Sequence, residues 1–505
     1  MKREDYQSYF LENILKTKKP SFCQSKIDGS TRLHVTALLG YNDLLLFFVE
    51  SNKSQVNSRD NTGRTPLHMA CSKGNTVVAK VLIKFNAEVN QLDTNKVTPF
   101  MLACSSGNIE LIKFLLTKNS DINAFNLFGS SPLLEACIKN NVKVFSFLLE
   151  NKAKVDCFNK NGDTPLHLAC QSGQTEILNL LIQYDIHSCI NRPNANGYTP
   201  FYLAISNGQH EMAKTVIEYG ADPNRPNDDG LTPLHITSLH GYSDLSSFII
   251  DNYELQINSR DKTGKTPLHL ACSKGNAVVA KLLIKYNAEV NQVDNDEVTP
   301  FMLACSSGNI ELVKFLLTKD VNINAFNSFG SSPLLEACTT DNVKVFSFLL
   351  DNKAKVDCFN KNGDTPLHLA CQAGYTKILK LLINCDIDTC INKPNAKGYT
   401  PFYLAISNGQ HEIAKTIIKS GADPNYQNED GLTPLHIACE TNKLKIVKIL
   451  LEQYQVEFNK EDNKGRTPLD ISKINKRKDI SELLIGREQI DKTLVSIPIT
   501  STSTC

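Results

Sequence analysis

The stretch from Asn161 to Cys170 constrains the fold most strongly, because it recurs letter for letter from Asn362 to Cys371 and in altered form about every 33 residues. A repeat of this length indicates a stack of small supersecondary units, each unable to bury its apolar face alone. Fourteen units follow from the positions of the motif Thr or Ser, which are 31, 65, 98, 131, 164, 199, 232, 266, 299, 332, 365, 400, 433 and 467.

Each unit is predicted to be a turn followed by two short helices. Asn161-Gly162 is typical of a tight turn with positive φ, and Thr164 followed by Pro165 is typical of a helix start. Gly173 is suited to end that helix. The apolar spacing of Ile177, Leu180, Leu181 and Tyr184 predicts a second helix over about 175–184.

The spacing between units also indicates a block duplication. The intervals 34, 33, 33, 33, 35 and 33 occur twice, and residues 60–225 match 261–426 at an offset of 201. We therefore expect an N-terminal capping segment (1–29), a repeat array (30–485) and a disordered C-terminal tail (486–505) rich in Ser and Thr.

Composition argues against several classes of partner. The chain has 54 Lys+Arg against 53 Asp+Glu, which removes the general electrostatic reason for nucleic-acid binding. No apolar run approaches 18 residues, and charged residues at the N-terminus are followed by no apolar signal region. These features predict a cytoplasmic protein without membrane insertion. A basic cluster over 473–478 leaves nuclear import as an alternative, although a solvated capping face explains it more simply.

Most cysteines recur at one position of the repeat and do not occur in closely spaced pairs. Nine of the 16 cysteines fall six residues after the motif Thr or Ser, and no C-x-x-C pair occurs. This pattern favours small core residues over zinc ligands or disulfides.

The chain resembles the ankyrin-repeat family. The resemblance rests on the 33-residue period, the Thr-Pro-Leu-His opening, a Leu-Leu pair in the second helix and Gly-Ala-Asp-Pro-Asn endings at Gly220–Asn224 and Gly421–Asn425. It implies an all-α fold, an α-solenoid of stacked helix-turn-helix repeats with projecting β-hairpin loops and first helices on a concave side. It also implies a protein-binding function without catalytic residues, and a motif His that hydrogen-bonds the motif Thr and a neighbouring loop.

Two partial motifs do not amount to sites. Thr263-Gly264-Lys265-Thr266 resembles the end of a phosphate-binding loop but lacks its first glycine, because Ser259 stands there. His210-Glu211 begins a zinc-protease pattern whose second His position holds Lys214. We therefore predict no catalytic residue, no metal and no cofactor.

Binding specificity is expected in the variable turns. Aromatic rings and guanidinium groups at predicted turn tips are candidate anchors for a partner, because a rigid ring buries much area at small entropy cost. Packing of these rings on an adjacent turn or helix is the alternative. The candidates are Arg59, Phe125, Phe128, Phe158, Tyr198, Arg260, Phe326, Phe329, Phe359 and Tyr399.

Three functional hypotheses follow. The first is a monomeric protein-interaction scaffold, with two equivalent patches created by the duplication. The second is an adaptor that recruits a substrate to a ubiquitin ligase or other enzyme, and the third and weakest is an enzyme. The identity of the partner does not follow from the sequence.

Overall fold

A computed structural model describes residues 29–184, 186–385, 389–453 and 456–495. It divides into two compact units, unit 1 ending at Pro233 and unit 2 beginning at Leu234. The predicted N-terminal capping segment lies, apart from Gly29, outside the described residues.

Helices of unit 1 occur as six successive pairs, in which the first helix begins at the motif position and the second follows a short turn. Lys53–Gln55 adds a 3₁₀ turn. The pairs are α1 (Arg32–Leu39) and α2 (Asn42–Ser51), α3 (Pro66–Ser72) and α4 (Thr76–Lys84), α5 (Pro99–Ser106) and α6 (Ile109–Leu116), α7 (Pro132–Ile138) and α8 (Val142–Glu150), α9 (Pro165–Ser172) and α10 (Thr175–Gln183), and α11 (Pro200–Ser206) and α12 (His210–Glu218).

Unit 2 continues the pattern with eight pairs, the first of which starts at the last residue of unit 1. The pairs are α13 (Pro233–His240) and α14 (Ser243–Asn252), α15 (Pro267–Ser273) and α16 (Ala277–Lys285), α17 (Pro300–Ser307) and α18 (Ile310–Leu317), α19 (Pro333–Thr339) and α20 (Val343–Asp351), α21 (Pro366–Ala373) and α22 (Thr376–Ile383), α23 (Pro401–Ser407) and α24 (His411–Lys419), α25 (Pro434–Glu440) and α26 (Leu444–Gln453), and α27 (Pro468–Ile474) and α28 (Lys478–Val495).

The predicted fold class is confirmed. Each unit is a stack in which first helices pack on first helices and second helices on second helices, as α3 does on α5 and α4 on α6. Within the described ranges the 28 α-helices form fourteen pairs and no β-strand is assigned. The connecting turns are closed by main-chain hydrogen bonds without forming extended ladders.

Local sequence explains each first helix. The Thr164 hydroxyl accepts a hydrogen bond from the His167 N–H at the start of α9, and Pro165 occupies the first helical position, where no N–H is needed. Gly173 ends the helix with φ +72°. Leu166, Ala169 and Cys170 are fully buried, so one narrow face of the helix forms the core.

The buried face of the second helix differs from the expected one. In α10 Leu178 is buried beside Ile177 and Leu181, whereas Leu180 is half-buried and lines an outer groove with Phe147. Here the helix is held both by its own α9 and by the neighbouring α8, which turns its core-facing side by part of a turn.

Helix α28 extends beyond the predicted end of the array. We expected a disordered tail from 486, but residues 486–495 continue this helix, and only 496–505 lie outside the description. Glu488 and Gln489 are good helix formers, and the helix already packs on α27 and buries Ile480 and Leu484 before this point. Ser and Thr enrichment, which motivated the expectation, begins only after 495.

Candidate functional site

An Asp or Asn five residues before the motif Thr or Ser shapes the turns from the second repeat onward. Asn159 Oδ1 accepts hydrogen bonds from the main-chain N–H groups of Asn161 and Asp163, both at 2.9 Å. The N–H of Gly162, at φ +78°, donates to the Asn159 carbonyl at 2.9 Å. The sequence interpretation assigned this role to Asn161-Gly162, but only Gly162 has positive φ because the Asn159 side chain closes the turn.

The same side-chain contact occurs in thirteen described turns, and a search for Asp or Asn at this fixed spacing would have found it. The residues are Asp60, Asp93, Asn126, Asn159, Asn194, Asn227, Asp261, Asp294, Asn327, Asn360, Asn395, Asn428 and Asp462.

The motif histidines connect each repeat to the next. The Thr164 N–H donates to His167 Nδ1 at 3.1 Å, so Nδ1 is unprotonated and Nε2–H donates to the Tyr198 carbonyl at 3.1 Å. Burial lowers the pKa of His167, and it lowers that of His68 to about 4. Both ring nitrogens are therefore occupied in a neutral, structural imidazole, as the family resemblance implied.

Neighbouring turns are also bonded to one another. The Leu127 N–H donates to the Asn95 carbonyl, and the Lys160 N–H donates to the Phe128 carbonyl, both at 2.8 Å. In unit 2 the Lys361 N–H donates to the Phe329 carbonyl at the same distance. Residues at one register position thus lie side by side along a row of fixed turns.

Six candidate phenylalanines lie on these turns with 46% to 57% of their surface exposed. Large apolar side chains at this exposure are not needed to fill the core, which in the same repeats is formed by fully buried residues such as Phe145 and Phe346. The six are Phe125, Phe128, Phe158, Phe326, Phe329 and Phe359.

The phenylalanines do not form a single patch. Phe125 and Phe158 line one cleft with Lys154, Asp156 and Cys157, residues that precede the turn. Phe329 lines a different cleft with residues of two first helices, Leu335 of α19 and Leu369 of α21. The predicted anchors therefore divide between the outer edge of the turns and the first-helix side.

Cationic side chains cover two of the rings. The Arg192 guanidinium lies 4.1 Å from the ring centroid of Phe158, and in unit 2 Lys393 Nζ lies 4.7 Å from that of Phe359. Arg59, an exposed candidate, donates to the Leu92 carbonyl of the next turn at 2.8 Å, and Arg260 donates to that of Val293 at 2.9 Å. The sequence interpretation missed Arg192, because its contact joins two repeats.

Tyr198 and Tyr399 are half-buried and packed. Tyr198 stacks on Tyr202 with ring centroids 4.7 Å apart, and Tyr399 stacks on Tyr403 at 4.5 Å. Tyr202 occupies the motif His position, where its hydroxyl accepts a hydrogen bond from Asn227 Nδ2 at 3.2 Å and burial raises its pKa to about 12. Tyr198 therefore packs on a first helix, which is the alternative that the sequence left open to its being a binding anchor.

The thiols and acidic groups offer little reactive chemistry. All nine motif cysteines are fully buried, and burial raises the pKa of Cys137 and Cys439 to about 12, so the thiolate is scarce at neutral pH. Among the residues that the structure describes, no three His, Cys, Asp or Glu side chains are placed to hold a metal ion. None of the described helices combines the length and apolar character required to span a bilayer.

Comparison with known proteins identifies the repeat type. A family model described as "Ankyrin repeats (3 copies)" matches overlapping segments that together span residues 33–495. Mouse Rabankyrin-5 is 31% identical over 91 residues, 18% of this chain and 8% of that protein. An ankyrin repeat-containing protein of Schizosaccharomyces pombe is 33% identical over 84 residues, 17% of this chain and 39% of that protein.

A putative ankyrin repeat protein of Fowlpox virus is 38% identical over 104 residues, 20% of this chain and 17% of that protein. In each of these alignments the chain spans well under half the length of the relative.

Proposed function

Since this chain belongs to the ankyrin-repeat family, we propose that it is a non-catalytic scaffold that binds partner proteins through the exposed aromatic residues of its turns and the adjacent first helices. Ankyrin repeats generally mediate protein–protein interaction. The observation that carries the proposal for this chain is the set of six half-exposed phenylalanines on hydrogen-bonded turns.

These rings have the physical properties of binding anchors. A Phe side chain can bury roughly 150 Å² or more, so covering the exposed half of one ring contributes up to about 2 kcal/mol at ~25 cal/mol per Å². Because the Phe128 and Phe329 carbonyls accept hydrogen bonds from the next turn, little backbone entropy is lost on binding.

Duplication of the block extends the proposal to two patches per chain. Phe125, Phe128 and Phe158 in unit 1 have copies at Phe326, Phe329 and Phe359 in unit 2. A partner that is long or dimeric would engage both patches and gain avidity without new contacts, provided its two binding segments can reach both.

Affinity capture with the full chain tests the proposal. The variants replace the three phenylalanines of unit 1, those of unit 2, or all six by Ala. Val77→Ala with Val278→Ala is the matched control, because these exposed apolar residues lie on second helices, α4 and α16, away from the turns. Quantitative mass spectrometry of proteins captured from the source cell should show partners lost with the six-residue variant and kept with the control.

Stoichiometry then separates one patch from two. Calorimetric titration of a captured partner into the full chain should show weaker binding when either set of three phenylalanines is replaced, if one partner bridges both patches, or a stoichiometry that falls by half, if each patch binds its own partner. Equal capture by the six-residue variant and the parent would contradict the proposed function. Affinity and stoichiometry that both stay unchanged when the phenylalanines of one unit are replaced would contradict the two-patch extension alone.

A further inference from the structure

One row of exposed side chains runs along the outer edge of the turns. Its members occupy the residue before the turn-closing Asp or Asn, and we call them the aromatic row: Leu92, Phe125 and Phe158 in unit 1, and Val293, Phe326 and Phe359 in unit 2. Hydrogen bonds between successive turns place these positions side by side. All six side chains are 40% to 52% exposed.

Positive charge borders the row in unit 1. Lys154 lines the cleft between Phe125 and Phe158, Lys160 is exposed on the turn of Phe158, and Arg192 lies over the Phe158 ring. Among the described residues none of these three cations takes part in an ion pair. Asp156 lines the same cleft as Lys154, so these three cations face one carboxylate.

The main chain leaves no donors for an anion at this turn. The N–H of Lys160 donates to the Phe128 carbonyl, those of Asn161 and Asp163 donate to Asn159 Oδ1, and that of Gly162 donates to the Asn159 carbonyl. Side chains alone would therefore recognise a negative group. The Arg192 guanidinium can donate two parallel N–H groups to the two oxygens of a carboxylate, which is a strong, bidentate pair.

We propose that the aromatic row of unit 1 binds an extended acidic segment of a partner protein, with apolar side chains seated between Phe125 and Phe158 and a carboxylate on Arg192. The proposal rests on the proposed function. Stacked repeats are about 10 Å apart and an extended chain rises about 3.3 Å per residue, so each repeat is matched by about three residues of the segment. An extended segment of roughly six to nine residues would therefore cover the row of unit 1.

The unit 2 row supplies a built-in comparison. Lys393 replaces Arg192, and an ammonium group is a compact point charge that cannot form the bidentate pair. The same acidic segment should therefore bind more weakly at unit 2, although Phe326 and Phe359 match Phe125 and Phe158 in exposure.

The experiment selects random nine-residue peptides displayed on phage against the full-length chain and then measures synthetic versions by fluorescence anisotropy. Enriched peptides should carry apolar residues flanked by Asp or Glu. Measurements at unit 1 use the Phe326→Ala/Phe359→Ala background, and those at unit 2 use Phe125→Ala/Phe158→Ala. Circular dichroism confirms that each exposed-site variant remains folded.

Charge variants give the decisive readout. Arg192→Glu should weaken binding at unit 1 by about tenfold and Arg192→Lys by a smaller factor, while Lys393→Arg should strengthen binding at unit 2. The proposal would be overturned if basic peptides were enriched, if no peptide were enriched, or if these three substitutions left the affinity for the peptide unchanged. So would displacement of the peptide by single-stranded oligouridylate in an Arg192-dependent manner, because the surface would then favour nucleic acid.

Failure of this inference is distinguishable from failure of the proposed function. If captured partner proteins depend on Phe128 and Phe329 but not on Phe125, Phe158 or Arg192, the scaffold function stands and the acidic-segment proposal falls. If the variant lacking all six phenylalanines captures every partner that the parent captures, the scaffold function itself falls.

Discussion

Units 1 and 2 share a buried framework and differ mainly where side chains are exposed. Thr164 and Thr365 are fully buried in both copies, and the turn residues Asp163 and Asp364 are equally covered. By contrast, Lys96 corresponds to Glu297, an exposed change that reverses charge on the turn next to Phe125 or Phe326. The duplicated repeats have therefore diverged in surface charge without a change in fold, so the two patches are equivalent in shape but not in charge.

One difference creates a contact that the other unit lacks. In unit 2 the Tyr286 hydroxyl donates a hydrogen bond to Asp251, which lowers the pKa of that carboxyl and links α14 to α16. Unit 1 has Glu50 and Phe85 at these positions, and a Phe ring offers no donor. Asp251 is exposed and Tyr286 is half-buried, so the contact distinguishes the outer surfaces of the units and not their cores.

The largest effect should come from removing a core ring in either unit. Phe145→Ala and Phe346→Ala each delete a fully buried side chain and should cost about 3–5 kcal/mol, because the cavity cannot be filled by neighbours already packed on both sides. Hydrogen exchange read by mass spectrometry should show lost protection in the altered repeat and its neighbours. A much larger loss in one unit than in the other would break the equivalence of the two cores.

Acid should destabilise both units through their motif histidines. Burial lowers the pKa of His68 from 6.5 to about 4, so as pH falls the unfolded state binds the proton first. The stability that neutral His68 contributes is fully present above pH 6.5 and is lost as the pH falls from 6.5 to about 4. At ~1.4 kcal/mol per pKa unit, this contribution is on the order of 3 kcal/mol.

Urea titrations between pH 7.5 and 4.5 measure this loss. His68→Gln should lower stability at pH 7.5 but flatten the pH dependence, and His269→Gln should do the same in unit 2, where burial also lowers the His269 pKa. A pH slope that is unaltered in both variants would show that other groups cause the acid sensitivity.

Removal of the side chain that closes a turn should have a smaller effect on stability, and removal of an exposed phenylalanine ring on a turn should have the smallest. Asn159→Ala and Asn360→Ala each remove an acceptor of two N–H groups and should cost about 1–2 kcal/mol. Phe158→Ala and Phe359→Ala should lower stability by about 1 kcal/mol or less, because only the covered half of each ring and its contact with a cation are lost. Chemical denaturation measures the free energy of unfolding of the four variants and so ranks them. A phenylalanine variant as unstable as an asparagine variant would show that the rings serve packing within the repeat array.

The repeat, its boundaries and most of its core were predictable from the order of residues along the chain. Thr164, Pro165 and Gly173 start and end α9 through local backbone chemistry, and the regular cysteine register follows from one narrow buried face. These features depend on residues close together in the chain, which is why periodicity and capping rules are sufficient to predict them.

Which exposed side chains lie together follows from the packing of one repeat on the next. Leu178 rather than Leu180 faces the core because α10 is packed by α8 as well as α9, and Arg192 reaches Phe158 only after two repeats stack. Phe128 and Phe125 are three residues apart, yet the cleft of Phe125 and that of the Phe128 copy, Phe329, have different walls. Contacts between repeats depend on stacking geometry, and no pattern within one repeat encodes it.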